Sequence, residues 1–168
     1  MKHIPYTIRP LEIEDIPKVT QWSRNEGFAP GAGDLGIYQH TDRQGLWVGC
    51  LHEKPIGCIA GVRYNDSYGF IGLFLVVKEM RGNGYGLALW KHALDHLINI
   101  PCIGLEAAPN RISDYSLWGF EPSSTTTRWQ WIGNGTFSGD VLGNDQIDNS
   151  LIILEGKSIP SNIVQTYD

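Results

Sequence analysis

The sequence predicts an α+β fold around a mostly antiparallel sheet, and three observations carry this. The apolar runs "GLWVGCLH" (45–52) and "IGCIAGVRY" (56–64) are separated only by a turn at "EKP", which makes a hairpin. A third run, "YGFIGLFLVV" (68–77), returns after the turn "NDS" and is almost wholly apolar, as a strand covered on both faces would be. Directly behind it, "EMRGNGYGLALW" turns the chain through three closely spaced glycines into a helical pattern.

The remaining elements follow in order. "YTIR" (6–9) alternates and reads as a short strand. Ile13, Ile16, Val19 and Trp22 recur at helical spacing, predicting a helix over Glu14–Arg24 with Pro17 in its first turn, where its missing N–H costs nothing. "EGFAPGAGD" is a Gly- and Pro-rich loop, and Asp34 is placed to cap a short helix "LGIYQH". After the glycines, Leu87, Trp90, Leu94, Leu97 and Ile98 form an apolar stripe, with Lys91, His92, Asp95 and His96 elsewhere on the helix. "CIGLEA" (102–107) is a short strand, and "PNRISDYSLWGF" holds a short helix closed by Gly119. "TTTRWQWI" (125–132) reads as a strand and residues 133–150 as a linker. "LIILEG" (151–156) is a lone strand candidate, ahead of a tail expected to be mobile. The organisation expected is one domain over 1–133 and a linker, closing strand and tail over 134–168.

Composition narrows the function classes. The 168 residues are 42% hydrophobic with a formal net charge of -5, so the chain is globular and lacks the basic excess of a nucleic-acid-binding module. No apolar run approaches a membrane span. Cys50, Cys58 and Cys102 are odd in number and sit in apolar contexts, which predicts buried thiols in a reducing, cytoplasmic setting. No metal site is expected: His92 and His96 are four apart, but "HALDH" lacks the glutamate of a zinc-protease helix, and both are read as lying on the solvated polar face. Neither Cys50 nor Cys58 has the cationic neighbours that would make a nucleophilic thiolate.

The glycine stretch is the strongest signal. Glycines let successive backbone N–H groups turn toward one point, and the following helix N-terminus adds unpaired N–H groups and a partial positive charge. With Arg81, this is a cradle for an anion, best a pyrophosphate. The P-loop pattern fails because Leu87 and Ala88 stand where Lys and Ser/Thr are needed, and the dinucleotide fingerprint fails at Leu89. What fits is [QR]-x-x-G-x-[GA], as Arg81, Gly84 and Gly86.

On this motif, on "YSLWGF" as a Y-x-x-x-G-F segment and on the element order from Tyr6 to Ile132, the chain resembles the GCN5-related N-acetyltransferase superfamily. "EGFAPGAGD", "PIGCIAGVRYNDSYGFIGLFLV" and "IGLEAAP" look like a bacterial subgroup whose members often carry a second acetyltransferase-like domain; about 35 residues after Ile132 are too few for one. Three positions depart from the pattern. Lys78 stands where proline is common, Asn110 lies closer to the tyrosine than the usual asparagine, and Ala29 replaces an asparagine before Pro30.

The resemblance implies an acyl-CoA N-acyltransferase fold, with a mixed sheet and helices on both faces. It implies acetyl-CoA as co-substrate, no metal, and direct transfer to a primary amine; the alternative is a non-catalytic acyl-CoA-binding domain. It places backbone groups of Phe74, Leu75 and Val76 along the pantetheine, Arg81, Gly82, Asn83, Gly84, Tyr85 and Gly86 at the pyrophosphate, and Tyr115 as general acid. For the acceptor, Glu26, Asp34 and Asp66 lie in loops expected to rim the site, with Glu26 favoured as base; Trp47, Tyr64 and Tyr68 are the aromatic alternative. The implied partner is a small-molecule or peptide amine, with neither nucleic acid nor membrane, and a homodimer is compatible.

Overall fold

The computed structural model describes residues 6–28, 31 and 33–127. Internal contacts divide the chain into Met1–Pro122 and Ser123–Asp168, and every regular element described belongs to the first unit. Ala29, the strand expected at 125–132 from residue 128 onward, the linker, "LIILEG" and the tail lie outside the described residues. Thr125–Thr127 have no regular structure.

Five strands form one sheet in chain order: β1 (Tyr6–Pro10), β2 (Leu46–Leu51), β3 (Lys54–Arg63), β4 (Tyr68–Val76) and β5 (Cys102–Leu105). The first three pairings are antiparallel and β4–β5 is parallel, so the sheet is mixed. Alternation along each strand divides the core in two. Leu46, Val48, Cys58, Ala60 and Val62 face α1 (Ile16–Asn25) and α2 (Asp34–Thr41), which bring Val19 and Leu35. Trp47, Ile59 and Ile71 face α3 (Tyr85–His96), which brings Leu89, Trp90 and Ala93. On that second face α4 (Ile112–Leu117) adds Tyr115.

Several local expectations shift. A 3-10 turn, Ile13–Asp15, precedes α1, so the α-helix starts at Ile16 with Pro17 in its first turn, and Ile13 is 73% exposed. Arg9 donates to both oxygens of Asp15 at 2.6 and 3.0 Å, tying β1 to this turn and holding the Asp15 carboxyl below its ordinary value. Asp34 is not the cap of α2; Gly33 is, at φ 95°, and Asp34 instead accepts from the Gly31 N–H at 2.7 Å. The buried face of α3 is Leu89, Trp90, Ala93 and Leu97, while Leu87 and Ile98 are exposed, because the helix starts at Tyr85 and lies turned relative to the expected stripe. His96 is not a solvated residue: its Nε2 lies 2.8 Å from Asp42 Oδ2, and Arg63 donates to its carbonyl at the helix end. Cys50 and Cys58 are buried, but Cys102, at the start of β5, is exposed.

Candidate active site

The site begins as a fork in the sheet. The β4–β5 ladder ends at the pair Ile71–Leu105, while β4 continues against β3 as far as Val76–Gly57. Gly72–Val76 thus carry a backbone edge that β5 does not cover. Within this stretch β4 holds one extra residue: Ala60 pairs with Gly72 but Cys58 with Leu75. The bulge has Leu73 at φ 50°, and it reverses the side-chain parity, so that Ile71 faces α3 while Leu73 faces α1 and α2. Cys58 Sγ donates to the Leu73 carbonyl at 3.2 Å, which anchors the bulge from the neighbouring strand.

From the open end of the fork the chain enters the glycine loop. Gly82 and Gly84 have φ of 79° and 84°, and no atom lies within 4 Å of where their Cβ atoms would be. Backbone conformation, not crowding, is what demands glycine there. Gly84 is the N-cap of α3, whose first-turn N–H groups have no acceptor within the helix and point out of its end. Gly86 lies against Phe74 and Val76, at 3.5 and 3.6 Å from its would-be Cβ, which seats α3 on the last residues of β4.

Side chains brace this loop. Arg81 Nε donates to the Val76 carbonyl at 2.7 Å, and Arg81 Nη2 pairs with Glu26 Oε1 at 2.7 Å. Asn83 donates to the carbonyls of Met80 and Arg81, both at 3.1 Å. The Tyr85 ring sits 4.7 Å from that of Tyr6, whose hydroxyl donates to the Tyr85 carbonyl at 3.2 Å. Sequence reasoning missed Tyr6, and only a contact between residues 79 apart reveals it. A cleft of about 290 Å³ opens between the end of α1 and the end of β4, lined by residues including Trp22, Glu26, Leu75 and Val77.

Tyr115 reaches the same side of the sheet as α3. Its ring packs 5.7 Å from Trp90, which in turn lies 5.5 Å from Phe74 at the bulge. Burial pushes the Tyr115 phenol above its ordinary value, so the ring carries its proton throughout the neutral range.

The expected acceptor residues are not brought together. Glu26, at the cleft, is paired with Arg81. Asp34 is held by the Gly31 N–H. Asp66 is exposed in the β3–β4 turn, which Asn65 closes by accepting from the N–H groups of Ser67 and Tyr68, both at 2.8 Å. That turn stands at the end of β4 farthest from the glycine loop, a strand of nine residues or roughly 30 Å away. Tyr64 and Tyr68 stack with centroids 5.9 Å apart. Trp47 does not join them. It is buried beneath α3, edge-on to His92 and His96 at 4.9 and 5.1 Å. Among the described residues, no group of three or more His, Cys, Asp or Glu is gathered as a metal site would need.

Comparison with known proteins agrees with this geometry. Residues 11–120 match the model of the "Acetyltransferase (GNAT) family". The chain is similar to holothin acyltransferase from Pseudoalteromonas sp. (strain SANK 73390), 30% identical over 133 residues, covering 79% of this chain and 45% of that protein. It thus spans less than half of that curated relative's length. Among solved structures, Ard1 from Thermoplasma volcanium is similar at a TM-score of 0.63 and 22% identity, covering 71% of this chain and 84% of that one. N-acetylglutamate synthase from Neisseria gonorrhoeae, complexed with coenzyme A and L-arginine, superposes at 0.57 and 19% identity, covering 73% and 29%.

Proposed function

The chain belongs to the acetyltransferase (GNAT) family, and from that premise we propose that it transfers an acetyl group from acetyl-CoA to a primary amine within a direct ternary complex. The observation that carries this reading is the fork: an unpaired strand edge, Gly72–Val76, leading into a loop of positive-φ glycines at a helix N-terminus. An extended amide chain can pair along such an edge, and a pyrophosphate suits such a loop. The residues fit the coenzyme on both counts.

In this reading the N–H groups of Gly82 to Gly86 and the start of α3 hold the pyrophosphate, with Asn83 keeping the loop in shape. Backbone groups of Phe74, Leu75 and Val76 hold the pantetheine, and an N–H at the bulge polarises the thioester carbonyl. The coenzyme supplies an acyl group on a good thiolate leaving group. The amine nitrogen bonds to the carbonyl carbon, the C–S bond breaks, Tyr115 gives its proton to the departing thiolate, and the amine surrenders one proton. Glu26, first favoured as the base, spends its carboxylate on Arg81; its role here is to position that guanidinium. The negative charges of Asp34 and Glu106 both act to raise the Tyr38 phenol, and in this reading these two carboxylates serve the acceptor. They suit a cationic amine and its proton.

The name of the holothin acyltransferase relative supports acyl transfer as the reaction class. The test is thiol release from acetyl-CoA with a panel of amines. Release that rises with an amine, in step with acetylated amine, is the expected result. Coenzyme binding with no amine-dependent release leaves a non-catalytic acyl-CoA-binding domain instead.

A further inference from the structure

One glycine in the sheet has no structural reason to be one. Most strand glycines are required by packing. A Cβ on Gly57 would stand 2.7 Å from the Leu75 carbonyl, on Gly69 3.0 Å from Leu97, and on Gly61 3.2 Å from Ala93. On Gly49 and Gly104 it would collide with the Tyr6 and Tyr68 hydroxyls. Gly72 differs. Its φ is outside the left-handed region, and its would-be Cβ meets nothing nearer than Phe70 at 3.6 and 3.8 Å and the Tyr38 hydroxyl at 4.0 Å, which are ordinary contacts. A side chain there would also favour the strand, since glycine weakens strand interiors.

Its position is as particular as its vacancy. Gly72 is the first residue of β4 beyond the last pair with β5, so it stands at the apex of the fork. Phe70 and Gly72 point to the α2 face, where α2 brings Tyr38 over the sheet. Phe70 also lies 3.4 Å from the would-be Cβ of Gly104, its partner on β5, so its ring spans the floor between the two strands. Burial raises the Tyr38 phenol, and the charges of Tyr64, Asp34 and Glu106 act in the same direction.

We infer that Gly72 is the bare floor of the acceptor site, left without a side chain so that the body of the amine can lie between Phe70 and Tyr38 and reach the carbonyl from the α2 face. The inference rests on the transferase reading above and deepens it. Phe70 and Tyr38 offer ring surfaces, and the carboxylates an attraction for the ammonium group. The substrate class is therefore a primary amine with a slender or planar apolar body beside the nitrogen.

The test uses acetyl-CoA with phenethylamine and with spermidine, on wild type, Gly72→Ala and Gly72→Leu. The expected result is that phenethylamine is the better acceptor and that Gly72→Leu raises its KM by roughly tenfold or more. Gly72→Ala should melt no lower than wild type and raise KM by a smaller factor, and it serves alone if the leucine variant does not fold. All folded variants should keep the thermal shift given by coenzyme A. Unchanged acceptor constants in Gly72→Leu, or in Gly72→Ala where the leucine variant does not fold, overturn the inference while leaving the transferase reading intact. Loss of the coenzyme shift also overturns it, since the glycine would then serve the coenzyme. A wild type that acetylates no amine overturns both.

Discussion

Replacing Glu26 by glutamine separates two roles for this side chain. As a general base, Glu26 would be needed to take the amine's proton. As a partner of Arg81, it is needed only to aim the guanidinium at the loop. The pair is close, 2.7 Å, but its side chains are 26% and 38% exposed, so solvent screening limits its worth to about 0–1 kcal/mol. The bond from Arg81 to the Val76 carbonyl does not depend on Glu26 and survives the change. Glu26→Gln should therefore lower the melting temperature by no more than about 4 °C. Removing a negative charge from beside an anion cradle should tighten coenzyme binding by up to roughly fivefold, the equivalent of the same ~1 kcal/mol. The assay pairs calorimetric coenzyme binding with a pH profile of acetyl transfer. The expected outcome is tighter coenzyme binding, an acceptor KM within about twofold of wild type and an unchanged rise of rate with pH, the margin being about 0.4 kcal/mol. A flattened pH profile with higher acceptor KM and unaltered coenzyme affinity would refute this reasoning and restore Glu26 as the base.

Further outcomes follow from the same structure. Tyr115→Phe should lower turnover by roughly ten- to a thousandfold with little change in coenzyme affinity, as loss of a general acid does; single-turnover kinetics at equal coenzyme saturation would show equal rates if the ring only packs against Trp90. Burial opposes ionisation of Asp42, but the Arg63 N–H, His96 and the Gln44 N–H outweigh it and hold its carboxyl below the ordinary value. Such a group adds stability above its unfolded pKa, near about 3.9, and loses it as pH falls through its lower folded value. Asp42→Asn should thus cost about 1–3 kcal/mol at pH 7, and the difference from wild type should shrink below about pH 4 in denaturant titrations. A difference that stays constant down to about pH 3 would rule the linkage out.

Much of the fold was legible because its signals are local. The β2–β3 hairpin, whose turn falls on His52–Glu53 with Lys54 and Pro55 already in β3, the Asn65–Ser67 turn and the amphipathic α3 each declare themselves within a dozen residues. The glycine loop was legible because its φ values admit few other residues. What escaped depends on register and on distant partners. Trp47 sits in a run buried at every position from Leu46 to Cys50, so alternation gives its side chain no preferred face. His96 looked solvated on its own helix, and only Asp42, 54 residues away, shows otherwise. The pairing of Glu26 with Arg81 likewise joins a helix end to a loop across three strands of intervening chain. The extra residue in β4 cannot be found without its partners on β3.

The central claim is that the loop at Gly84 holds the pyrophosphate of an acyl coenzyme. Gly84 has φ 84°, a conformation that asparagine and aspartate both tolerate, so Gly84→Asn and Gly84→Asp differ in charge and hardly in shape. Thermal unfolding with and without acetyl-CoA measures the claim directly. At a hundredfold excess over Kd, a ligand bound only by the folded protein adds about 2.7 kcal/mol. The predicted result is a clear shift for wild type, a reduced but present shift for Gly84→Asn, and none for a folded Gly84→Asp, whose carboxylate occupies the cradle. An equal shift in wild type and Gly84→Asp would contradict the assignment.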